Sequence, residues 1–303
     1  MQWRNEQLFH LRQKEPLTKE DQESYFQNVV ASLFKQEKPT QLLFSFLKDE
    51  VCIGYGGLVH INWHDQHAEI SFIMKTGLQG EQFEELWKEY LGLVKLLAFK
   101  EMGLQKVFTY AFDLRPRLYT ALISSGFFLD ARLKNHCRVD GHSKDVLIHA
   151  FLNPLEELSY RKVKESDKQL LFDWANESGV RANSINTDPI PWEEHVNWID
   201  RKLTSKQTEF YIFESWGNPV GQLRIEQDDV HWVINYSVNH NYRGLGIGRA
   251  MITRLLEDHN DKQFRAIVRK ENTASVQVFI TLGFEKDMNA DLGHDLESYI
   301  YSV

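Results

Sequence analysis

Apolar and polar positions in the second half of the chain follow two periods, one typical of helices and one of strands. After Gly246, the residues Ile247, Met251 and Leu255 recur every four positions, which predicts an amphipathic helix. The run TASVQVFITLGF predicts a second helix that ends at Gly283. Shorter apolar runs between polar turns predict strands, namely EFYIFES, GQLRIEQ, HWVINYSVN and FRAIVRK. This mixture indicates an α/β (α+β) fold.

The elements before these strands follow the same logic. SYRKVKE predicts the opening strand of this half. SDKQLLFDWANE predicts a helix, and PWEEHVNWIDRKL predicts another that begins at Pro191 with acids in its first turn. Between the two helices, VRANSINTDPI is polar and rich in turn residues, so we expect a loop there.

The first half repeats this order weakly. Trp3-Arg4-Asn5-Glu6 resembles Trp174-Ala175-Asn176-Glu177, and each half ends with a Gly-Phe pair before its last strand. The pattern therefore predicts two copies of one unit, which we expect at residues 1–153 and 158–303. The first copy has no counterpart of SYRKVKE before Trp3, so its opening strand should be absent or supplied by another part of the chain.

Composition narrows the class of protein. The chain has 303 residues, 42% of them hydrophobic and 26% charged, with a net charge of −8. An acidic chain lacks the basic field that non-specific nucleic-acid binding requires. Two cysteines are too few for a disulfide framework, and no stretch of about 18 apolar residues is present to span a membrane. These features predict a cytoplasmic protein that acts on neither nucleic acid nor membrane.

A glycine-rich turn joins the strand HWVINYSVN to the amphipathic helix. Gly244, Gly246 and Gly248 alternate with apolar residues, and Arg243 stands in front of them. Unsatisfied N–H groups at a helix start, approached through bare glycine backbone, form an anion site. The turn lacks the Gly-Lys-Ser/Thr ending of a P-loop. The next strand ends in bases, which excludes the acidic residue of a dinucleotide-binding fold. The pattern therefore predicts a phosphate site of another type.

With Asn272, Ser275 and the pair Gly283-Phe284 after the next strand, this turn resembles the GNAT superfamily of acyl-CoA-dependent N-acetyltransferases. The resemblance implies two tandem GNAT-like domains, each with a mixed, largely antiparallel twisted sheet and helices on both faces. It also implies acetyl-CoA as the cofactor and a gap between two splayed strands for the pantetheine arm. The coenzyme contacts that it implies are Val238, Asn239, Arg243, Gly244, Leu245, Gly246, Ile247, Gly248, Arg249, Asn272, Ser275 and Phe279.

The segment WANESGVRANSINTDPIPWEEHVNW is similar to the acceptor segment of GNAT domains from bacterial amino-sugar-nucleotide pathways. This likeness implies acetyl transfer to a primary amine on a nucleotide-linked amino sugar in surface-glycan biosynthesis. Polar side chains that could bind such a substrate are Arg181, Asn183, Ser184, Glu194 and Arg224. An ordinary polar surface loop is an equally good interpretation of the Arg181 region. Two other functions stay open: acetylation of a peptide or ribosomal-protein N-terminus, and a non-catalytic acyl-CoA-binding scaffold.

The catalytic groups depart from the family pattern. Many members carry a tyrosine that protonates the leaving thiolate at the position of Phe279, which has no proton to donate. The strand before the turn also lacks the glutamate found in many members. The candidates for a base are Glu226, His231, Glu194 and His195, with Glu226 favoured because it ends the neighbouring strand, and Tyr236 and Ser237 are also possible catalytic residues.

The first copy has lost the coenzyme features. Its turn, Lys75 to Gly80, has no Arg-Gly-x-Gly-x-Gly array, and Arg115 stands at the position of Asn272. We expect a structural or acceptor-orienting domain, with a divergent second transferase that uses Glu69 as the alternative. A hairpin with His60, His64 and His67 superficially resembles a zinc site, but no cysteine joins it, so no metal is predicted.

Overall fold

The computed structural model describes residues 1–290 and 292–302. The chain divides into two compact units, Met1–Asn153 and Pro154–Val303. Each unit has a sheet and a hydrophobic core of its own.

The first unit is built on a six-stranded sheet. Its strands are β1 (Leu42–Lys48), β2 (Val51–Asn62), β3 (His67–Met74), β4 (Lys106–Phe112), β5 (Phe128–Val139) and β6 (His142–Leu152). They lie in the order β1-β2-β3-β4-β6-β5, and β3 and β4 form a parallel pair whereas the other pairs are antiparallel. Within the described residues no strand precedes β1, which leaves β1 at a sheet edge.

Helices of the first unit precede the sheet or connect its strands. They are α1 (Gln2–Glu6), α2 (Lys19–Tyr25), α3 (Ala31–Leu33), α4 (Phe83–Lys95) and α5 (Pro116–Ser124), with 3₁₀ turns at Leu8–His10 and Thr76–Leu78. Thr18 and Asp21 form a capping box that starts α2. A π-helical turn, Phe26–Val30, joins α2 to α3, and another, Leu96–Glu101, follows α4.

The second unit has a seven-stranded sheet. Its strands are β7 (Leu158–Lys162), β8 (Thr208–Ser215), β9 (Asn218–Gln227), β10 (Trp232–Val238), β11 (Phe264–Arg269), β12 (Glu285–Lys286) and β13 (Leu296–Tyr301). They lie in the order β12-β13-β11-β10-β9-β8-β7. Among these described strands, β10 and β11 form the one parallel pair.

Helices cover both faces of this second sheet. They are α6 (Lys168–Ala175), α7 (Ser178–Asn183), α8 (Trp192–Thr204), α9 (Ile247–Asp258) and α10 (Thr273–Thr281), with 3₁₀ turns at Glu165–Asp167 and His240–Tyr242. On one face, Ile247 and Met251 of α9 pack with Phe264 and Phe279 in the larger core cluster. On the other face, Leu171 of α6 and Ile199 of α8 pack in a second cluster with residues of β8.

This architecture confirms the predicted fold class, because each sheet is mixed and mostly antiparallel. One local prediction is wrong. Residues 180–183, the start of the predicted loop 180–190, belong to the helix α7, because the side chain of Glu177 accepts the N–H of Gly179 and caps the first turn. In the part of the chain that the structure describes, every helix is too short or too polar to cross a lipid bilayer.

Candidate active site

The parallel strands β10 and β11 stay together over only three residue pairs. Their last pair is Ile234 and Ala266, after which the two strands diverge. β10 remains paired with β9 as far as Val238, and β11 remains paired with β13 as far as Arg269. Each strand therefore stays hydrogen-bonded to its other neighbour up to its last residue, and a gap opens between β10 and β11.

Backbone groups of β10 face this gap. The N–H of Asn239 donates to the carbonyl of Val220 on β9 at 2.9 Å. Because residues of an antiparallel strand alternate the direction of their N–H groups, those of Tyr236 and Val238 point away from β9 and into the gap. Of the two amides predicted to meet the coenzyme, that of Val238 is available and that of Asn239 is occupied. The Asn239 side chain accepts the N–H of Asn241 at 3.0 Å and so starts the following turn.

The glycine-rich turn leads from β10 into the first turn of α9. Leu245 and Ile247 are buried and anchor it, whereas Gly244 and Gly246 are exposed and left-handed, with φ of 77° and 85°. No side chain among the described residues caps α9 at Gly246, so side chains leave its first N–H groups without a capping partner. Arg249 in this first turn forms no ion pair or hydrogen bond with any described residue. A free cation at the positive end of a helix is unfavourable alone and favours an anion as the missing partner.

Tyr236 extends from β10 across to α10. Its hydroxyl donates to Ser275 Oγ at 3.0 Å, and its ring lies edge-on to Phe279 at 5.8 Å. A Cβ at Gly248 would come within 2.9 Å of the same ring, so glycine is needed for the close approach of α9. Burial raises the pKa of Tyr236, against the hydrogen bond with Ser275. The phenol therefore keeps its proton at neutral pH.

Two other residues that the resemblance implicated in coenzyme contacts have structural roles in α10, one as its cap and one in its packing. Asn272 is the N-cap, and its side chain accepts the N–H of Ser275 at 3.2 Å. Phe279 is only 1% exposed and packs against Phe284 at 5.0 Å. A buried phenyl ring at this position offers the coenzyme no polar contact, and a hydroxyl beside it belongs to Tyr236.

A row of polar side chains lines the opposite face of β9 and β10. The amide of Gln222 donates to Asn235 Oδ1 at 3.1 Å and lies 3.3 Å from Ser237 Oγ. Gln222 is 8% exposed, and its carbonyl oxygen has no partner among the described residues. A buried, unpaired acceptor beside a hydroxyl is suited to a ligand N–H donor. Sequence reasoning named Ser237 but missed Gln222 and Asn235, although polar residues at every second position of both strands were a visible signal.

The favoured base, Glu226, is already paired. Its Oε2 lies 2.8 Å from Lys202 Nζ, and its Oε1 contacts Arg224 Nε. The Arg224 guanidinium lies over the ring of Trp198 at 4.6 Å. Burial lowers the pKa of Arg224, and the charge of Glu226 opposes that effect. The carboxylate of Glu226 therefore serves as a counter-ion to two cations.

His195, the second candidate base, is 2% exposed and belongs to the packing between α6 and α8. Its Nε2 donates to the Lys168 carbonyl at 3.1 Å, and Phe172 and Trp198 contact its ring. Burial lowers its pKa more than this hydrogen bond raises it. These contacts lie within the α6–α8 layer and include no described residue of β10.

The acceptor residues predicted in and beside α7 form hydrogen bonds within their own segment of the chain. Arg181 donates to the carbonyls of Ala175, Asn186 and Asp188 and to Ser184 Oγ. The Asn183 amide donates to the Gly179 carbonyl at 2.8 Å, and Ser184 Oγ donates to the Val180 carbonyl at 2.7 Å. Glu194, in the first turn of α8, is exposed. The Arg181 guanidinium is thus used internally.

Arg243 likewise has protein partners. Its guanidinium forms a bidentate pair with Glu177, and its Nε donates to the Val238 carbonyl at 3.0 Å. Burial opposes ionisation of Glu177, but hydrogen bonds and charge from Arg243 outweigh it and lower the pKa of this carboxyl. The side chain of Arg243 therefore links the start of α7 to the end of β10.

Comparison with known proteins decides the family. Residues 169–284 match the model of the "Acetyltransferase (GNAT) family", and residues 1–148 match that of an "Acetyltransferase (GNAT) domain". The chain belongs to the GNAT family. It is therefore an acyltransferase that uses acetyl-CoA, as the resemblance implied.

Solved structures with a similar chain path match about half of this GNAT protein. A domain from Methanocaldococcus jannaschii is 20% identical and covers 48% of this chain and 99% of its own, with a TM-score of 0.44. Spermidine N-acetyltransferase from Vibrio cholerae is 16% identical, with coverages of 48% and 95% and a TM-score of 0.42. An acetyltransferase from Thermus thermophilus is 18% identical, with coverages of 48% and 96% and a TM-score of 0.43. No curated protein matches significantly.

The first GNAT copy keeps the diverging strands but differs at the turn. β3 and β4 part after Glu69 and Phe108. The turn that follows β3 contains Gly77, which does not adopt a positive φ. The Gln7 side-chain amide donates to the carbonyl of Met74, the last residue of β3, at 2.7 Å. In this copy Gln7 takes the place that Arg243 has in the second.

Proposed function

We propose that the second unit is the catalytic one and transfers the acetyl group of acetyl-CoA to a primary amine. The observation that carries this proposal is the gap between β10 and β11, which ends at an uncapped helix start with two exposed left-handed glycines. N–H groups of residues 244–249 would hold the pyrophosphate, and Arg249 would add a charge to it. The N–H of Val238 would meet the thioester carbonyl and stabilise negative charge there.

When bound, acetyl-CoA supplies the acetyl group as an activated thioester. The proton for the leaving sulfur would come from Tyr236 Oη, in place of the tyrosine that many family members have at the position of Phe279. Its raised pKa supports this role, because the phenol stays protonated over the neutral range. Ser275 Oγ holds the phenol in position through a hydrogen bond of 3.0 Å.

The acceptor amine would lie on the other face of β10, against Gln222, Asn235 and Ser237. The carbonyl oxygen of Gln222 can accept an amine N–H, and so can Ser237 Oγ. A neutral amine still loses one proton when it is acylated, and this proton would pass through water to the Tyr236 phenolate that is left once the sulfur is protonated, so a carboxylate base is not required. We assign Glu226 to charge balance with Arg224 and Lys202, since a buried cation without a counter-ion is costly.

For the acceptor we keep the nucleotide-linked amino sugar, which the similarity of residues 174–198 supports. Arg181 and Arg224 bind protein groups, so they are not free for a diphosphate. Recognition would then depend on the sugar amine and hydroxyls more than on the nucleotide. The first unit, which lacks a left-handed glycine at position 77 of its turn, would have a structural or acceptor-orienting role.

The test uses the full chain, acetyl-CoA and a panel of amines, with release of the coenzyme thiol as the measurement. The panel contains amino-sugar nucleotides, the same amino sugars without nucleotide, a polyamine and a peptide with a free N-terminus. Reactions without acceptor correct for the two cysteines of the chain. Turnover with the amino sugars supports the proposal. Turnover with the peptide alone would reassign the acceptor, and tight coenzyme binding without any turnover would leave a non-catalytic scaffold.

A further inference from the structure

The two ends of α7 are fastened to two different strands. At its start, Glu177 pairs with Arg243, whose Nε donates to the Val238 carbonyl. At its end, the carbonyl of Ser184 accepts a hydrogen bond from Arg269 Nη1 at 3.2 Å. Val238 and Arg269 are the last residues of β10 and β11. Residues 177–184, which we name the strap, therefore run from the end of β10 to the end of β11, across the gap between these strands.

The length of the strap suits this span. Six helical residues rise about 9 Å, whereas paired strands lie about 4.8 Å apart. A helix that connects the two strand ends thus accommodates strands that have separated, as β10 and β11 have done after Ile234 and Ala266.

The strap and the loop after it are tied together. Arg181 binds the carbonyls of Asn186 and Asp188 and the side chain of Ser184, so a shift of α7 carries residues as far as 188 with it. This segment contains the residues that the sequence assigns to the acceptor. A change in the separation of the strand ends therefore reaches the acceptor segment through the contacts of Arg243 and Arg269.

We propose that the strap couples the coenzyme gap to the acceptor site, with Arg243 and Arg269 as positioning residues. This inference rests on the proposed function, because it needs the coenzyme in the gap. Coenzyme between β10 and β11 fixes the distance between the strand ends, and an anion at the turn fixes the backbone of Arg243. Both effects would order the strap, so bound coenzyme would prepare the acceptor segment through Arg243 and Arg269.

The test is hydrogen–deuterium exchange of the full chain with and without saturating coenzyme A. In the wild type, coenzyme A should slow exchange of residues 243–252 and also of residues 177–188, each by about tenfold. In Glu177→Gln, the protection of residues 243–252 should remain and that of residues 177–188 should disappear. Calorimetric affinity for coenzyme A should fall by no more than about tenfold, because coupling is reciprocal and the substitution leaves the turn itself unchanged.

Two further variants make the result specific. Arg269→Gln releases the other end of the strap and should give the same loss of protection through a different contact. Glu297→Gln removes the acid of the Lys286–Glu297 pair, which joins β12 and β13, and should behave like the wild type. Protection of residues 243–252 without residues 177–188 in the wild type, or full protection in both strap variants, would overturn the coupling. No protection of residues 243–252 in any protein would instead refute the coenzyme site, and the coupling with it.

Discussion

A methyl group added at Gly246 tests the coenzyme turn most directly. Gly246 has φ of 85°, and among the described residues a Cβ there would meet only Leu155 Cδ1, at 3.5 Å, an ordinary contact. Steric collision therefore contributes nothing, and Gly246→Ala should lose stability only through its left-handed backbone, by about 1 to 2 kcal/mol. Gly246 is exposed, on the turn that we propose as the binding site of the pyrophosphate. We expect coenzyme A affinity to fall at least about tenfold, which equals about 1.4 kcal/mol.

The chain offers a matched control at Gly217, in the turn between β8 and β9. Its φ is 73°, and a Cβ there would meet no atom of the described part of the chain within 4 Å. Gly217→Ala should therefore lose as much stability in urea unfolding as Gly246→Ala, yet bind coenzyme A like the wild type in calorimetry. If both variants bind coenzyme A equally well, the turn does not hold the pyrophosphate. If both bind it equally poorly, backbone strain and not the added methyl explains the loss.

Three other predictions use different groups. Tyr236→Phe should lower kcat about 10- to 100-fold with unchanged coenzyme affinity, and a kcat of this variant within about twofold of wild type would exclude the acid role. In the wild type, kcat should fall only as pH rises through the raised pKa of the Tyr236 phenol. Glu226→Gln should lower the free energy of unfolding by about 1 to 3 kcal/mol because Arg224 loses its counter-ion, and kcat should change less than about threefold. A decrease in kcat of about a hundredfold would instead show that Glu226 is the base. Burial, assisted by Arg115, lowers the pKa of His10 to about 3, so its stabilising effect is complete above about pH 6.5 and is lost as pH falls. Between about pH 7.5 and pH 5 the free energy of unfolding should therefore drop by about 2 kcal/mol more in wild type than in His10→Gln, and equal drops would show that His10 titrates normally.

Much of the fold could be predicted because local patterns determine it. Period-four spacing from Ile247 identified α9, and short apolar runs between polar turns identified the strands beside it. The need for glycine in this turn was also predictable, since Gly244 and Gly246 stand between a strand and a helix, and both adopt a left-handed backbone. Such features depend on residues within one turn or one strand of each other.

Partnerships between distant residues could not be predicted in this way. Arg243 suited a phosphate by its place in the turn, but its partner Glu177 lies 66 positions earlier and comes close only in the fold. The same holds for Tyr236 and Ser275, which are 39 positions apart. α7 was missed because its six residues are too few for a period to emerge, and its stability depends on Glu177 and on tertiary contacts.

The hydrogen bond from Gln7 to Met74 has a consequence for the history of the chain. The carbonyl at the tip of a splayed strand requires a donor in either copy, and in the first copy an amide from the preceding helical segment provides it. One glutamine thus allows the turn after β3 to change freely, because the strand no longer depends on an arginine from that turn. Such an exchange lets the turn of one copy diverge while the strand before it keeps its architecture.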